Sequence, residues 1–153
     1  MSAEPAAVTH RLRVALPPEQ AFELFTQGLH GWWPFRGHSC TGDEALTVEF
    51  EARVGGAVTE ISRSGERHPW GTLTAWEPPS FFAMTWHPAQ TPEVATRLSV
   101  RFAPTDGGSI VDLRHDGWSA RGADAATIRD GYQHGWALVL GRFGAAAAQE
   151  CEA

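Results

Sequence analysis

The chain has 153 residues, 42% of them hydrophobic, which is enough apolar material for one domain with a real core and makes a second domain unexpected. Twelve arginines, no lysine and eighteen acidic residues give a net charge of −6 with no basic patch, which opposes nucleic acid or an anionic membrane as partner. Met1 to Ala7 lacks the charged start and apolar stretch of a signal peptide, no apolar run approaches the ~20 residues of a membrane span, and two cysteines, Cys40 and Cys151, make a structural disulfide improbable, so a soluble cytoplasmic protein with reduced thiols is expected.

Residues 8 to 16 alternate through Leu12, Val14 and Leu16 as a half-buried strand that Pro17 and Pro18 stop. Phe22, Phe25, Leu29 and Trp32 then recur at helical spacing, giving a short amphipathic helix that Gly28 divides and Pro34 ends. From Ala45 to Val54, Leu46, Val48, Phe50, Ala52 and Val54 share one face, with Thr47, Glu49, Glu51 and Arg53 on the solvated other. Gly55-Gly56 turns the chain into Ala57–Ile61, Ser64-Gly65 turns it back into Trp70–Trp76, and Glu77-Pro78-Pro79 leads into Phe81–Trp86, a meander of antiparallel strands. The register of the strand from Trp70 leaves open whether Trp70 or Leu73 points inward. Phe82, Met84 and Trp86 alternate, as do Leu98, Val100 and Phe102 in Thr96–Ala103, and the Asp106-Gly107-Gly108 turn leads to Val111, Leu113 and His115. From Ala123 the period becomes helical for about 25 residues, with Ile128, Tyr132, Gly135, Trp136, Val139, Phe143 and Ala147 on one stripe and Asp130, His134 and Leu138 opposite. The order predicts a single α+β domain over residues 8–148, helices on one face of a curved antiparallel sheet of six or seven strands, with 1–7 and 149–153 as frayed tails.

Several pieces in this order resemble the SRPBCC, or START-like, superfamily and within it the group similar to the C-terminal domain of the heat-shock-protein-90 ATPase activator. They are Pro17 to Phe25, Trp32-Trp33-Pro34, Arg53-Val54-Gly55-Gly56, Trp70-Gly71, Glu77-Pro78-Pro79, Thr85-Trp86, His115-Asp116-Gly117-Trp118, and Gly135-Trp136 followed by Leu140. The resemblance implies a helix-grip fold in which the long last helix closes over the sheet and leaves a cavity for a hydrophobic ligand. It implies a fold and not a reaction, since members include carriers, polyketide cyclases, receptors and co-chaperone domains. Co-chaperone action in the activator involves a separate N-terminal docking domain, for which this length leaves no room.

Within such a fold, seven tryptophans offer flat apolar surfaces, each with one N–H donor, and they read either as core filling or as pocket lining. The candidate ligand-binding set is Trp33, Trp70, Met84, Trp86, Phe102, Leu113, His115, Trp118, Tyr132 and Trp136, with Trp32 and Trp33 at the entrance. His115 is the sharpest polar candidate, either a general base for an enzymatic reaction or a strand-end histidine bonded to its surroundings. His30, His38 and Cys40 match no zinc spacing and read as solvated loop residues, and His87 and His134 read as surface. No phosphate loop, nucleophile elbow or HExxH pattern occurs, so no metal or cofactor is expected. The reading is a binding protein for a small hydrophobic molecule, aromatic or polyketide-like. A cyclase, dehydratase or hydrolase using the same cavity, and a protein-interaction module, are its alternatives.

Overall fold

The computed structural model describes residues 4–152. Strand β1 (Val8–Val14) is followed by helix α1 (Pro18–Phe25), β2 (Ala45–Phe50), β3 (Ala57–Ser62), β4 (Arg67–Glu77), β5 (Phe81–Trp86), β6 (Thr96–Thr105), β7 (Gly108–Asp116) and helix α2 (Ala125–Glu152). The seven strands form one antiparallel sheet in the order β1-β7-β6-β5-β4-β3-β2, curled into a half-barrel. Both helices pack into its concave side, the α+β helix-grip architecture expected from the sequence.

Alternation decides which side chains meet there. Phe82, Met84 and Trp86 of β5, Leu98, Val100 and Phe102 of β6, and Val111, Leu113 and His115 of β7 are all buried, as their strict period of two requires. From α1, Phe22 and Phe25 meet Phe102 with ring centroids 5.2 and 5.7 Å apart, and Phe25 meets Phe143 of α2 at 5.0 Å. These edge-to-face contacts join both helices to the sheet in one aromatic core. On α2, Trp136, Val139, Phe143 and Ala147 are buried and His134 and Leu138 exposed, as the helical stripe predicts.

Strand β4 breaks the rule of two. Trp70 has no partner between the Val58–Gly71 and Thr59–Pro69 pairs, and Thr74 has none between Leu73–Met84 and Ala75–Ala83. Each extra residue reverses the facing of those beyond it, so Trp70 and Leu73 are both buried and Trp76 packs on Phe22 at 4.9 Å. The choice between Trp70 and Leu73 thus resolves as both. Gly71 is required beside the first bulge, because a Cβ there would overlap the Thr85 carbonyl on β5.

Two expectations need correction, the extent of β2 and the facing of His87. β2 ends at Phe50, short of Val54, because the chain turns from Glu51 through Gly55, whose φ of +84° suits glycine, and this leaves Val54 exposed; Leu46, assigned to the core face, is exposed as well. The division expected at Gly28 is present: α1 stops at Phe25, the Thr26 hydroxyl donates to the Phe22 carbonyl, and a separate 3-10 turn carries Leu29–Gly31. His87 is buried, since the alternation lapses after Trp86 and the His87 amide donates to the Trp70 carbonyl. The expected tails lie partly outside the described residues. Within them α2 continues through Glu152 and the Glu4 carboxylate accepts the Ser119 amide.

Candidate functional site

A cleft of about 270 Å³ opens where the end of β5, the middle of α2 and the loop carrying Gly37 to Cys40 meet. Its apolar walls are Trp33, Trp86, Trp136 and Val139, and its polar side is formed by His38, Ser39, Cys40 and Tyr132. Trp33 reaches the cleft because the 3-10 turn at Leu29–Gly31 redirects the chain out of α1, the Trp33 amide donating to the Leu29 carbonyl. Its indole N–H donates to the His38 carbonyl at 2.7 Å and so ties the loop to the aromatic wall. Trp33 stands 4.9 Å from Trp70, 6.1 Å from Trp86 and 5.9 Å from Trp136, and Trp86 stands 5.2 Å from Trp136, all by ring centroid. Such offset, tilted rings present flat faces to a ligand.

Behind this wall runs a chain of buried hydrogen bonds. The Trp136 indole donates to His115 Nδ1 at 2.9 Å, which leaves the ring proton on Nε2 to donate to Thr96 Oγ1 at 2.6 Å, and the Thr96 hydroxyl donates to the Trp86 carbonyl at 3.2 Å. Trp118 covers the imidazole at a centroid distance of 4.2 Å. Burial pushes the His115 pKa down to about 3, against the pull of Asp116 and with help from Arg121. With both nitrogens engaged and the ring at 0% exposure, His115 is built to position Trp136 and Trp86, and its geometry provides no free lone pair for a proton from the cleft.

The loop wall has its own anchor, which the sequence reading did not single out. Glu60 of β3 is fully buried, and its carboxylate accepts the Cys40 amide at 2.8 Å, the Thr41 amide at 2.9 Å, the Thr41 hydroxyl and the Trp70 indole at 3.0 Å. Burial opposes ionisation, but the Thr41 hydroxyl, the two amides and the Trp70 indole outweigh it and hold the carboxyl below its ordinary value. The available signal was a charged residue in phase with Val58 on the inward face of a strand. Burial and the neighbouring carboxylate push the Cys40 thiol up, so it stays protonated. Burial also raises the Tyr132 phenol, with Trp86 donating to its oxygen at 3.1 Å.

Of the candidate ligand-binding residues, Trp33, Trp86, Tyr132 and Trp136 line the cleft. Trp70, His115 and Trp118 form the layer behind them, while Met84, Phe102 and Leu113 belong to the sheet core. Trp32, placed at the entrance by the sequence reading, is buried against Phe25 and Phe143. His38 and Cys40, read as solvated, are half-buried in the cleft wall. Sequence reasoning missed Pro88, Ala89, Gly135 and Val139 as lining residues. Gly135 and Val139 do lie on the recognised helix stripe, whereas Ala89, at a φ of +63°, sits in a turn without periodic signal. Among the described residues, no group of three or more His, Cys, Asp or Glu side chains is placed to hold a metal, and no helix is long and apolar enough to cross a membrane.

The family model described as Activator of Hsp90 ATPase homolog 1-like protein matches residues 15–148. No curated protein matches the chain in sequence. Among solved structures, a protein of Mesorhizobium loti superposes with a TM-score of 0.71 at 17% identity, over 94% of this chain and 98% of that one. The Aha1 dimer of Colwellia psychrerythraea gives 0.64 at 18% identity, over 93% and 96%. Txn09, an anthrahydroquino-gamma-pyrone synthase complexed with SUM, gives 0.63 at 31% identity, over 94% and 98%. The first two establish the fold alone.

Proposed function

The chain belongs to the Activator of Hsp90 ATPase homolog 1-like family, and from that premise and its aromatic cleft we propose that it binds a small planar hydrophobic molecule between the sheet and α2. The fold of this family commonly takes hydrophobic ligands. The observation that carries the reading is the wall of Trp33, Trp86 and Trp136, three large rings that meet at one opening. A cavity of about 150 Å³ accommodates benzene, so a cleft of about 270 Å³ suits roughly two fused rings, with anything larger extending through the mouth.

Gly135 offers a direct test, because a Cβ there meets only the edge of the His38 ring, at 3.8 Å, and the position is helical. Gly135→Leu should leave the fold intact, since leucine favours a helix over glycine by up to about 1 kcal/mol, while its side chain fills the cleft. Titration with naphthalene should change tryptophan emission saturably in the wild type, and Gly135→Leu should weaken that binding at least about tenfold. A folded Gly135→Leu protein that binds naphthalene as the wild type does would move the ligand site elsewhere.

A second reading, catalysis in the same cleft, is favoured by the 31% identity with a pyrone synthase over nearly the whole of both chains. In that reading the chain closes or rearranges a ring on a polyketide-like aromatic substrate, and His115 acts by positioning the tryptophans. Incubation with hydroxyanthraquinones bearing an uncyclised side chain separates the two. A new product, either an isomer separated by chromatography or a cyclised product lighter by one water, that Gly135→Leu abolishes supports the enzyme, and saturable binding with unchanged substrate supports the carrier.

A further inference from the structure

The hydrogen-bonding capacity that side chains leave free in the cleft is of one kind. The indole N–H groups of all three wall tryptophans are engaged inside the protein: Trp33 with the His38 carbonyl, Trp86 with the Tyr132 oxygen and Trp136 with His115. These rings therefore offer a ligand their faces and not their donors. Ser39 is also occupied, donating to the Phe35 carbonyl and accepting the Gly42 amide. Three polar side chains of the lining remain: Tyr132, His38 and Cys40.

Two of them, Tyr132 and His38, present a hydrogen. The Tyr132 oxygen already accepts from Trp86, and its raised pKa keeps the phenol protonated, so its O–H is free to donate. His38 has its Nδ1 sealed from solvent without a partner, while Nε2 lies beside Gly135 on the cleft-facing side of α2. Placing the ring proton on Nδ1 would bury a donor with nothing to receive it, so the lone pair belongs on Nδ1 and the proton on Nε2, directed at the opening. Cys40 is held as a thiol whose hydrogen goes to the Glu60 carboxylate, so it adds no free donor to the opening. No side chain of the lining presents a free carboxylate, amide oxygen or unprotonated ring nitrogen to the opening.

We infer that this donor wall selects an aromatic ligand carrying a carbonyl oxygen, of the quinone, aryl ketone or pyrone class, with Tyr132 and His38 donating to that oxygen while the tryptophans cover the rings. The inference rests on the cleft being the ligand site, and it adds the polar chemistry that the apolar walls leave unspecified. Two neutral donors converging on a carbonyl also polarise it, which in a catalytic version of the site would stabilise negative charge developing on that oxygen.

The test compares three bicyclic probes of nearly equal size by calorimetry: chromone, which bears a ring carbonyl, naphthalene, which bears no polar group, and 1-naphthol, which bears a hydroxyl. Chromone should bind more tightly than naphthalene by about fivefold to tenfold, the effect of one or two neutral hydrogen bonds. His38→Leu and Tyr132→Phe should each bring the ratio of chromone to naphthalene affinity down towards one. His38→Gln, whose amide nitrogen replaces Nε2–H, should keep it. Near-ultraviolet circular dichroism verifies that each variant retains the wild-type aromatic packing. Naphthalene or 1-naphthol binding as tightly as chromone, or a chromone advantage that survives both His38→Leu and Tyr132→Phe, would overturn the donor wall while leaving the cleft as the ligand site. Failure of all three probes to bind would remove the ligand site itself, and this inference with it.

Discussion

His115 illustrates how a residue with catalytic credentials can be structural. Its position on the inward face of β7 follows from the alternation with Val111 and Leu113, but alternation gives no information about what the ring meets. The partners are Trp136 and Thr96, one accepted and one donated to, and together they hold a neutral imidazole. A folded pKa of about 3, against 6.5 for an ordinary histidine, means that the unfolded chain takes up a proton that the folded chain refuses. The stability this ring contributes is therefore complete above pH 6.5 and declines as the pH falls towards about 3. From that difference, wild type should lose on the order of 2 kcal/mol through this one group between about pH 8 and pH 5. Urea denaturation of wild type and His115→Asn at both pH values checks it. The variant should be less stable at the higher pH by about 1–3 kcal/mol, from broken buried hydrogen bonds, and should show a shallower acid-side decline. Parallel declines in the two proteins would contradict the assignment.

At the scale of elements, the sheet and α2 were legible because half-buried strands and an amphipathic helix repeat their inward residues at fixed periods. Phe82-Met84-Trp86, Leu98-Val100-Phe102 and the α2 stripe through Trp136 and Phe143 all behave in this way. β4 was not legible, since its bulges at Trp70 and Thr74 turn Trp70, Leu73 and Trp76 towards one side at a spacing of three. Nor was the loop wall of the cleft, because an irregular backbone has no period and its position is set from a distance by Glu60. That anchor makes its own prediction. Glu60→Gln puts an N–H₂ group among four donors, so at least one contact becomes donor against donor. The variant should be less stable by about 1.5–3 kcal/mol, the range for hydrogen bonds to a charged acceptor. Amide exchange at Cys40 and Thr41 should accelerate relative to the strands. Unchanged protection at those two amides would show that something other than Glu60 holds the loop.

For the whole molecule, the cleft lies at the junction of three parts: the tryptophan that follows α1, the end of β5, and the middle of α2. Residues 33, 86 and 136 are far apart in sequence, and only the curled sheet with a helix across it brings their rings within about 6 Å of one another. The outer face of the sheet carries exposed ion pairs such as Arg11–Asp112 and Arg67–Glu49. Solvent screens such pairs, and they contribute little to stability. The central claim, that planar hydrophobic ligands enter at the tryptophan junction, is tested most directly by the indole N–H resonances in a ¹⁵N-labelled protein titrated with chromone. The resonances of Trp33, Trp86 and Trp136 should move saturably along one binding curve, and that of Trp76, packed on Phe22 and Phe50 away from the cleft, should stay in place. Saturable shifts confined to other tryptophans, or no shift of these three at saturating probe, would contradict it.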